Sequence, residues 1–143
     1  MSVSLHHLLM QTHTKFQKLL FGSLDGTLTL GQPKILDHLR EHDGDIQKDI
    51  AAACCIEQPS LTSILSGMEK NGLIVRKTAD GNRRSLYVYL TDKGRDYAEK
   101  IGSDFRHIEN KAFEGFTEAE KKNLIDYLTR INENISRKKD TNE

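Results

Sequence analysis

The stretch from Ile46 to Leu90 does most to limit what this chain can become, because two short runs of helical spacing lead directly into an alternation of period two. In the second run Leu61, Ile64, Leu65 and Met68 fall at i, i+3, i+4 and i+7 behind Pro59. Proline suits a first helical turn, where its missing N–H would have no partner anyway. Asn71-Gly72 stops that helix. Beyond it, Leu73 to Thr78 reads as one strand, and Leu86, Val88 and Leu90 alternating with Tyr87 and Tyr89 read as another. Asp80-Gly81-Asn82 between them is turn chemistry for a hairpin. The first run, after Asp45, predicts a short helix that buries Ile46, Ile50 and Cys54.

Two short helices joined by a tight turn and followed by a two-stranded hairpin make a winged helix-turn-helix. Amphipathic helices flank it. Leu5, Leu8, Leu9, Thr12, Phe16, Leu19 and Leu20 predict a first helix that ends at Gly22 and Gly26. A second starts near Leu30, with Pro33 in its first turn, buries Ile35, Leu36 and Leu39, and stops at Gly44. Thr91 can cap a long fifth helix carrying Tyr97, Ile101, Phe105, Ile108 and Ala112 on one face, with Phe116 at its exit. Thr117 and Glu120 form a capping box for a last helix striped with Leu124, Leu128, Ile131 and Ile135, before a polar tail from Arg137. The fold class expected is therefore mainly α with a small β-hairpin wing. The organisation expected is an N-terminal dimerisation helix over 1–27, a winged helix-turn-helix over 28–94 and C-terminal dimerisation helices over 95–143.

A length of 143 residues leaves little room for an added catalytic domain, and 36% hydrophobic with 29% charged residues is the balance of a chain that folds. No apolar run approaches a membrane span and the first ten residues lack signal-peptide character, so no membrane partner is expected and the cytoplasm is the expected compartment. Net charge is zero, so the footprint of a uniformly basic nucleic-acid binder is absent. The charge is unevenly spread, however. From Glu69 to Arg95 there are seven basic residues (Lys70, Arg76, Lys77, Arg83, Arg84, Lys93, Arg95) against three acidic ones (Glu69, Asp80, Asp92), a stretch able to face phosphate.

On a helical wheel the buried stripe Leu61/Ile64/Leu65/Met68 leaves Thr62, Ser63, Ser66, Gly67 and Lys70 on the opposite face. Hydroxyls can donate to or accept from base edges and phosphates, and nothing on this face blocks close approach. Arg83 and Arg84 at the hairpin tip are placed to enter a narrow minor groove or to touch phosphate.

The run Leu28 to Leu36, the segment Gly44 to Ala51, the stretch Met68 to Ile74, and Arg83-Arg84 followed by Leu90-Thr91-Asp92-Lys93-Gly94 resemble, in order and spacing, the pattern of the MarR family of transcription regulators. The resemblance implies a homodimer joined by its first and last helices that reads a pseudo-palindromic double-stranded DNA operator and usually represses nearby genes. It implies release by a small-molecule effector, often phenolic or otherwise aromatic, bound between the dimer helices and the winged domain. It also implies recognition-helix contacts at Pro59, Ser60, Thr62 and Ser63 and a wing contact at Arg84. The chain departs from the family pattern at Ser63 and Gly67, where many members carry Arg, at Asn82, usually acidic, and at Ile46, usually a Ser or Thr cap.

Cys54 falls on a buried stripe and Cys55 at the turn, which assigns them to packing; a redox switch at either is the alternative. His38 and His42 lie four apart beside Glu41, but two ligands do not make a metal site, and neither metal nor cofactor is expected. No phosphate loop, nucleophile elbow or His-Glu-x-x-His motif is present, so no enzyme is expected. The alternatives left open are a redox- or metal-sensing regulator of the same fold and a winged-helix protein-interaction module without DNA binding.

Overall fold

A computed structural model describes residues 2–24, 26–79 and 82–137, the side chains at 79 and 82–84 excepted. The fold is mostly helical with a small antiparallel sheet: α1 (Leu5–Gly22), α2 (Gln32–Glu41), β1 (Asp45–Ile46), α3 (Gln47–Cys54), α4 (Gln58–Lys70), β2 (Ile74–Ala79), β3 (Asn82–Leu90), α5 (Asp92–Ala112) and α6 (Glu118–Ser136). The chain divides into two compact units, Met1–Ile108 and Glu109–Glu143.

In the first unit Ile35, Leu36 and Leu39 of α2 meet Ile50 of α3, Leu61, Leu65 and Met68 of α4, Ile74 and Val88 of the sheet and Ile101 of α5, all fully buried. Each side chain of this size contributes about 1.5–3 kcal/mol when withdrawn from water. In α2 and α4 the helical periodicities read from the sequence are thus the core-facing stripes, with one exception. Ile64 is only partly buried and lies at the edge of that core.

The sheet has three strands, in the order β1-β3-β2, not the two expected. Asp45 and Ile46 pair with Val88 and Tyr87, so Ile46 is a half-buried strand residue and the N-cap of α3, not a buried helical one. Its own side chain cannot cap, and Asp45 Oδ1 accepts the N–H of Ile46 itself at 3.0 Å rather than one of the first turn of α3, while Asp45 Oδ2 faces His38 Nε2 at 2.8 Å. Along β2 and β3, Ile74, Arg76 and Thr78 oppose Leu90, Val88 and Leu86, and the register is irregular between Thr78 and Ala79. α2 begins at Gln32, two residues after the expected start, because Gly31 at φ +90° turns the chain just before it and leaves Leu30 exposed.

α1 buries only Leu20, while Leu5, Leu8, Leu9 and Leu19 stay exposed. In the second unit, the Thr117 side chain accepts the Glu120 N–H and Glu120 accepts the Thr117 N–H, the expected capping box. α6 buries none of its residues, and Leu124, Ile125, Tyr127, Leu128 and Ile135 face outward. Among the described residues no helix is long and apolar enough to cross a membrane.

Candidate nucleic-acid interface

α4 is anchored at both ends and along one side. At its start, Cys55 takes a left-handed conformation at φ 54° after α3, and the Cys55 and Ile56 N–H groups return to the carbonyls of Ala52 and Ala51. At its end, Gly72 at φ +75° lets Leu73 N–H reach the Met68 carbonyl at 2.9 Å. The carbonyls beyond the last turn are then taken from α5's start: Thr91 donates to Gly72 O and Lys93 Nζ to Asn71 O. Thr91 Oγ also accepts the Gly94 N–H at 3.0 Å, the expected cap of α5. On the side, Arg76 of β2 reaches Glu69 Oε2 at 2.9 Å, Ser66 Oγ at 3.3 Å and Gln47 Oε1 of α3 at 3.4 Å.

This scaffold presents Pro59, Ser60, Thr62, Ser63, Ser66 and Lys70 as an exposed face, with Leu61, Leu65 and Met68 buried behind. Gly67 is half-buried with Gln32 Nε2 at the limit of contact, so it lies at the rim of this face rather than on it. Thr62 Oγ1 donates to Gln58 O at 3.0 Å and Ser66 Oγ to Thr62 O at 2.9 Å.

The basic stretch is less available than its count suggests. Arg76 is paired with Glu69, Arg95 with Asp43 at 2.9 Å, Lys93 caps a carbonyl and Lys77 sits 5.3 Å over the Tyr89 ring. Four of the seven cations are therefore engaged within the fold. Lys70 remains on the exposed face. The backbone of Arg83 and Arg84 lies at the start of β3, while their side chains and that of Asn82, together with Asp80 and Gly81 of the expected turn, lie outside the described residues.

A pocket of about 630 Å³ lies within the first unit, walled by Leu9, Phe16 and Leu20 of α1, Pro33 and Lys34 of α2, and Phe105 of α5. Ile64 of α4 closes one side, and Gly31 packs so tightly against it that a Cβ there would sit 2.9 Å from Ile64 Cδ1. The lining is mostly apolar, with Thr12, His13, Gln17 and Lys34 as its polar members. The size is that of a small-molecule site. No sequence periodicity distinguished Ile64 from its core neighbours; the extra contact with Gly31 depends on how α2 meets α4.

Cys54 is buried, donates to Lys34 O, and burial pushes its thiol above the usual range, which disfavours the reactive thiolate. Cys55 is exposed. His38 is engaged by Asp45 and stacks on His42 at 4.6 Å between ring centroids, and no group of three potential ligands occurs among the described residues.

Residues 28–86 match the pattern of the MarR family. The chain is 38% identical over 77 residues to the HTH-type transcriptional regulator FarR of Neisseria gonorrhoeae, a match spanning 54% of this chain and about half (53%) of that protein. It is 33% identical over 101 residues to the homoprotocatechuate degradative operon repressor of Escherichia coli, covering 71% of this chain and 68% of that protein. Among solved structures, a putative MarR family regulator from Listeria monocytogenes complexed with 26mer DNA superposes with a TM-score of 0.85 at 27% identity, over 94% of this chain and 90% of that one. NadR in complex with 4-hydroxyphenylacetate superposes with a TM-score of 0.73 at 28% identity, over 91% of this chain and 93% of that one. These relatives are transcriptional regulators and not enzymes. With the helix-turn-helix, the wing and the pattern over residues 28–86 in agreement, the chain belongs to the MarR family of DNA-binding transcriptional regulators.

Proposed function

We propose that this protein is a cytoplasmic homodimeric repressor that binds a pseudo-palindromic operator and lets it go when a small aromatic acid fills the pocket beside α4. One observation carries this reading: a single helix lines both places. Its outer face offers Pro59, Ser60, Thr62, Ser63, Ser66 and Lys70, while its Ile64 closes the pocket. A ligand that pushes on Ile64 therefore acts on the reading face without any intermediate element.

In this reading α4 lies in the major groove and Arg83 and Arg84 of the wing reach the flanking minor groove or its phosphates. The exposed leucines of α1 and, separately, those of α6 support a second copy as their cover, since contiguous apolar surface of that kind is costly in water. The three-part division at residues 27/28 and 94/95 is retained as the division of labour between dimerisation and DNA reading. For the effector, the phenylalanines of the pocket suit an aromatic ring, and Lys34 and His13 at its wall suit a carboxylate. Each tenfold loss of operator affinity requires the acid to favour the DNA-free conformation by about 1.4 kcal/mol.

The test begins by incubating purified protein with sheared DNA of its source and sequencing what is retained. The recovered operator is then titrated by fluorescence anisotropy with 4-hydroxyphenylacetate and related hydroxylated aromatic acids. Enrichment of a palindromic site, and its release by an acid but not by the matching uncharged alcohol, are expected. Retention of no fragment would overturn the DNA reading. Release by none of the acids would overturn the effector class.

A further inference from the structure

Two hydroxyls on the reading face have already committed their protons. Thr62 Oγ1 donates to Gln58 O and Ser66 Oγ donates to Thr62 O, each four residues back along the helix. Ser66 is held further, because Arg76 Nη2 donates into its oxygen at 3.3 Å while Arg76 Nε is fixed by Glu69 at 2.9 Å. A hydroxyl has one proton and two lone pairs. With its proton on a carbonyl and one lone pair facing a guanidinium, Ser66 can offer DNA only an acceptor. Thr62 likewise presents oxygen lone pairs and a methyl group.

We infer that Thr62 and Ser66 read the exocyclic amino groups of adenine or cytosine in the major groove as hydrogen-bond acceptors, and do not bind phosphate. Phosphate oxygens, purine N7, guanine O6 and thymine O4 are all acceptors and would need a proton that these hydroxyls have placed elsewhere. The N6 amino group of adenine and the N4 amino group of cytosine are the donors that the major groove displays. Four residues of helix rise about 6 Å, and base pairs rise about 3.4 Å, so the two positions read are about two base pairs apart. Arg76 is a positioning residue in this scheme: it touches no base and acts by keeping the Ser66 proton turned inward. The inference rests on the reading of α4 as the groove helix.

The experiment takes the full-length protein and first selects a preferred duplex from a randomised double-stranded pool. Single positions of that duplex are then changed in two ways. Replacing adenine by purine, or cytosine by 2-pyrimidinone, removes only the exocyclic amino group; 7-deazapurines remove only N7. Affinities are measured for wild type, Thr62→Val and Ser66→Ala, both surface changes that leave the buried stripe intact. Amino-group removal should weaken wild-type binding about three- to tenfold at two positions, the size of one neutral hydrogen bond. The effect should vanish at one position in Ser66→Ala and at the other in Thr62→Val. Arg76→Lys, which keeps a charge beside Glu69 but has a single nitrogen, should diminish the amino-group effect at the Ser66 position alone. Coupling of either hydroxyl to N7 removal or to replacement of a single phosphate by an uncharged methylphosphonate, or no coupling at any position, would overturn the inference while leaving DNA binding standing. Failure of the wild type to select any duplex would overturn the groove reading and this inference with it.

Discussion

Gly94 offers a sharp test of how the wing is tied to α5. It sits in the first turn of α5, where glycine is ordinarily about 1 kcal/mol worse than alanine, so propensity alone predicts that Gly94→Ala stabilises. The structure predicts the opposite sign. A Cβ built on Gly94 would collide with the carbonyl oxygen and carbon of Leu73, which are backbone atoms immediately before β2 and cannot swing away. That carbonyl also accepts the Thr91 N–H at 3.1 Å, so moving it endangers the joint that holds α4, β2 and α5 together. Overpacking of this kind costs about 1–3 kcal/mol and a weakened hydrogen bond adds about 0.5–1.5, against a propensity gain of about 1. The net loss is about 0.5–3.5 kcal/mol, or roughly 1–14 °C in midpoint for a chain of this size. Gly67→Ala in α4 is the control, because its nearest neighbour is Gln32 Nε2 at 4.0 Å and the helical gain of about 1 kcal/mol is there to be realised. Urea denaturation of both variants at one fixed protein concentration measures the two signs, the concentration being held because association would shift the midpoint. A Gly94→Ala protein as stable as wild type would refute the claim that α5 is seated directly on the Leu73 backbone.

Three further outcomes are expected. Cys54 has a thiol pushed up from its usual 9.0 by burial, so the folded state keeps a proton that the unfolded state gives up; the stability this proton confers is whole below about pH 9 and falls as pH rises through the folded value. Denaturation at pH 7.5 and pH 10 should show that loss in wild type and a smaller one in Cys54→Ala, and equal losses would contradict it. Arg84→Ala should weaken operator binding by about 1–3 kcal/mol while circular dichroism stays unchanged, and a wild-type affinity would remove the wing arginine from the reading surface. Sedimentation at micromolar concentration should give twice the 16.3 kDa chain mass, and Leu128→Asp, placing a charge on the exposed stripe of α6, should lower it; a wild-type monomer that still binds operator would defeat the dimer.

The elements themselves were legible in the chain because each is written in local spacing. Leu61, Leu65 and Met68 repeat at helical intervals, Val88 alternates with Tyr87 and Tyr89, and Thr117 with Glu120 or Thr91 with Gly94 satisfies backbone groups only three residues away. The exposed hydroxyl face of α4 follows from the same arithmetic, since a buried stripe implies its opposite. What spacing cannot carry is the choice of a distant partner. The strand at Asp45 and Ile46 is too short for any pattern and exists only because Val88 and Tyr87 lie beside it. Arg76 and Arg95 read as free cations until Glu69 and Asp43 are brought to them, and Ile64 read as core until Gly31 and the pocket gave it a second neighbour. Even the partners of the Thr62 and Ser66 hydroxyls were set by contacts the composition does not reveal, one of them supplied from β2. Periodicity is a property of one segment, and the sequence by itself determined which faces must be buried. Packing is a property of pairs of segments, and the tertiary structure decided which charges, hydroxyls and apolar side chains are left exposed.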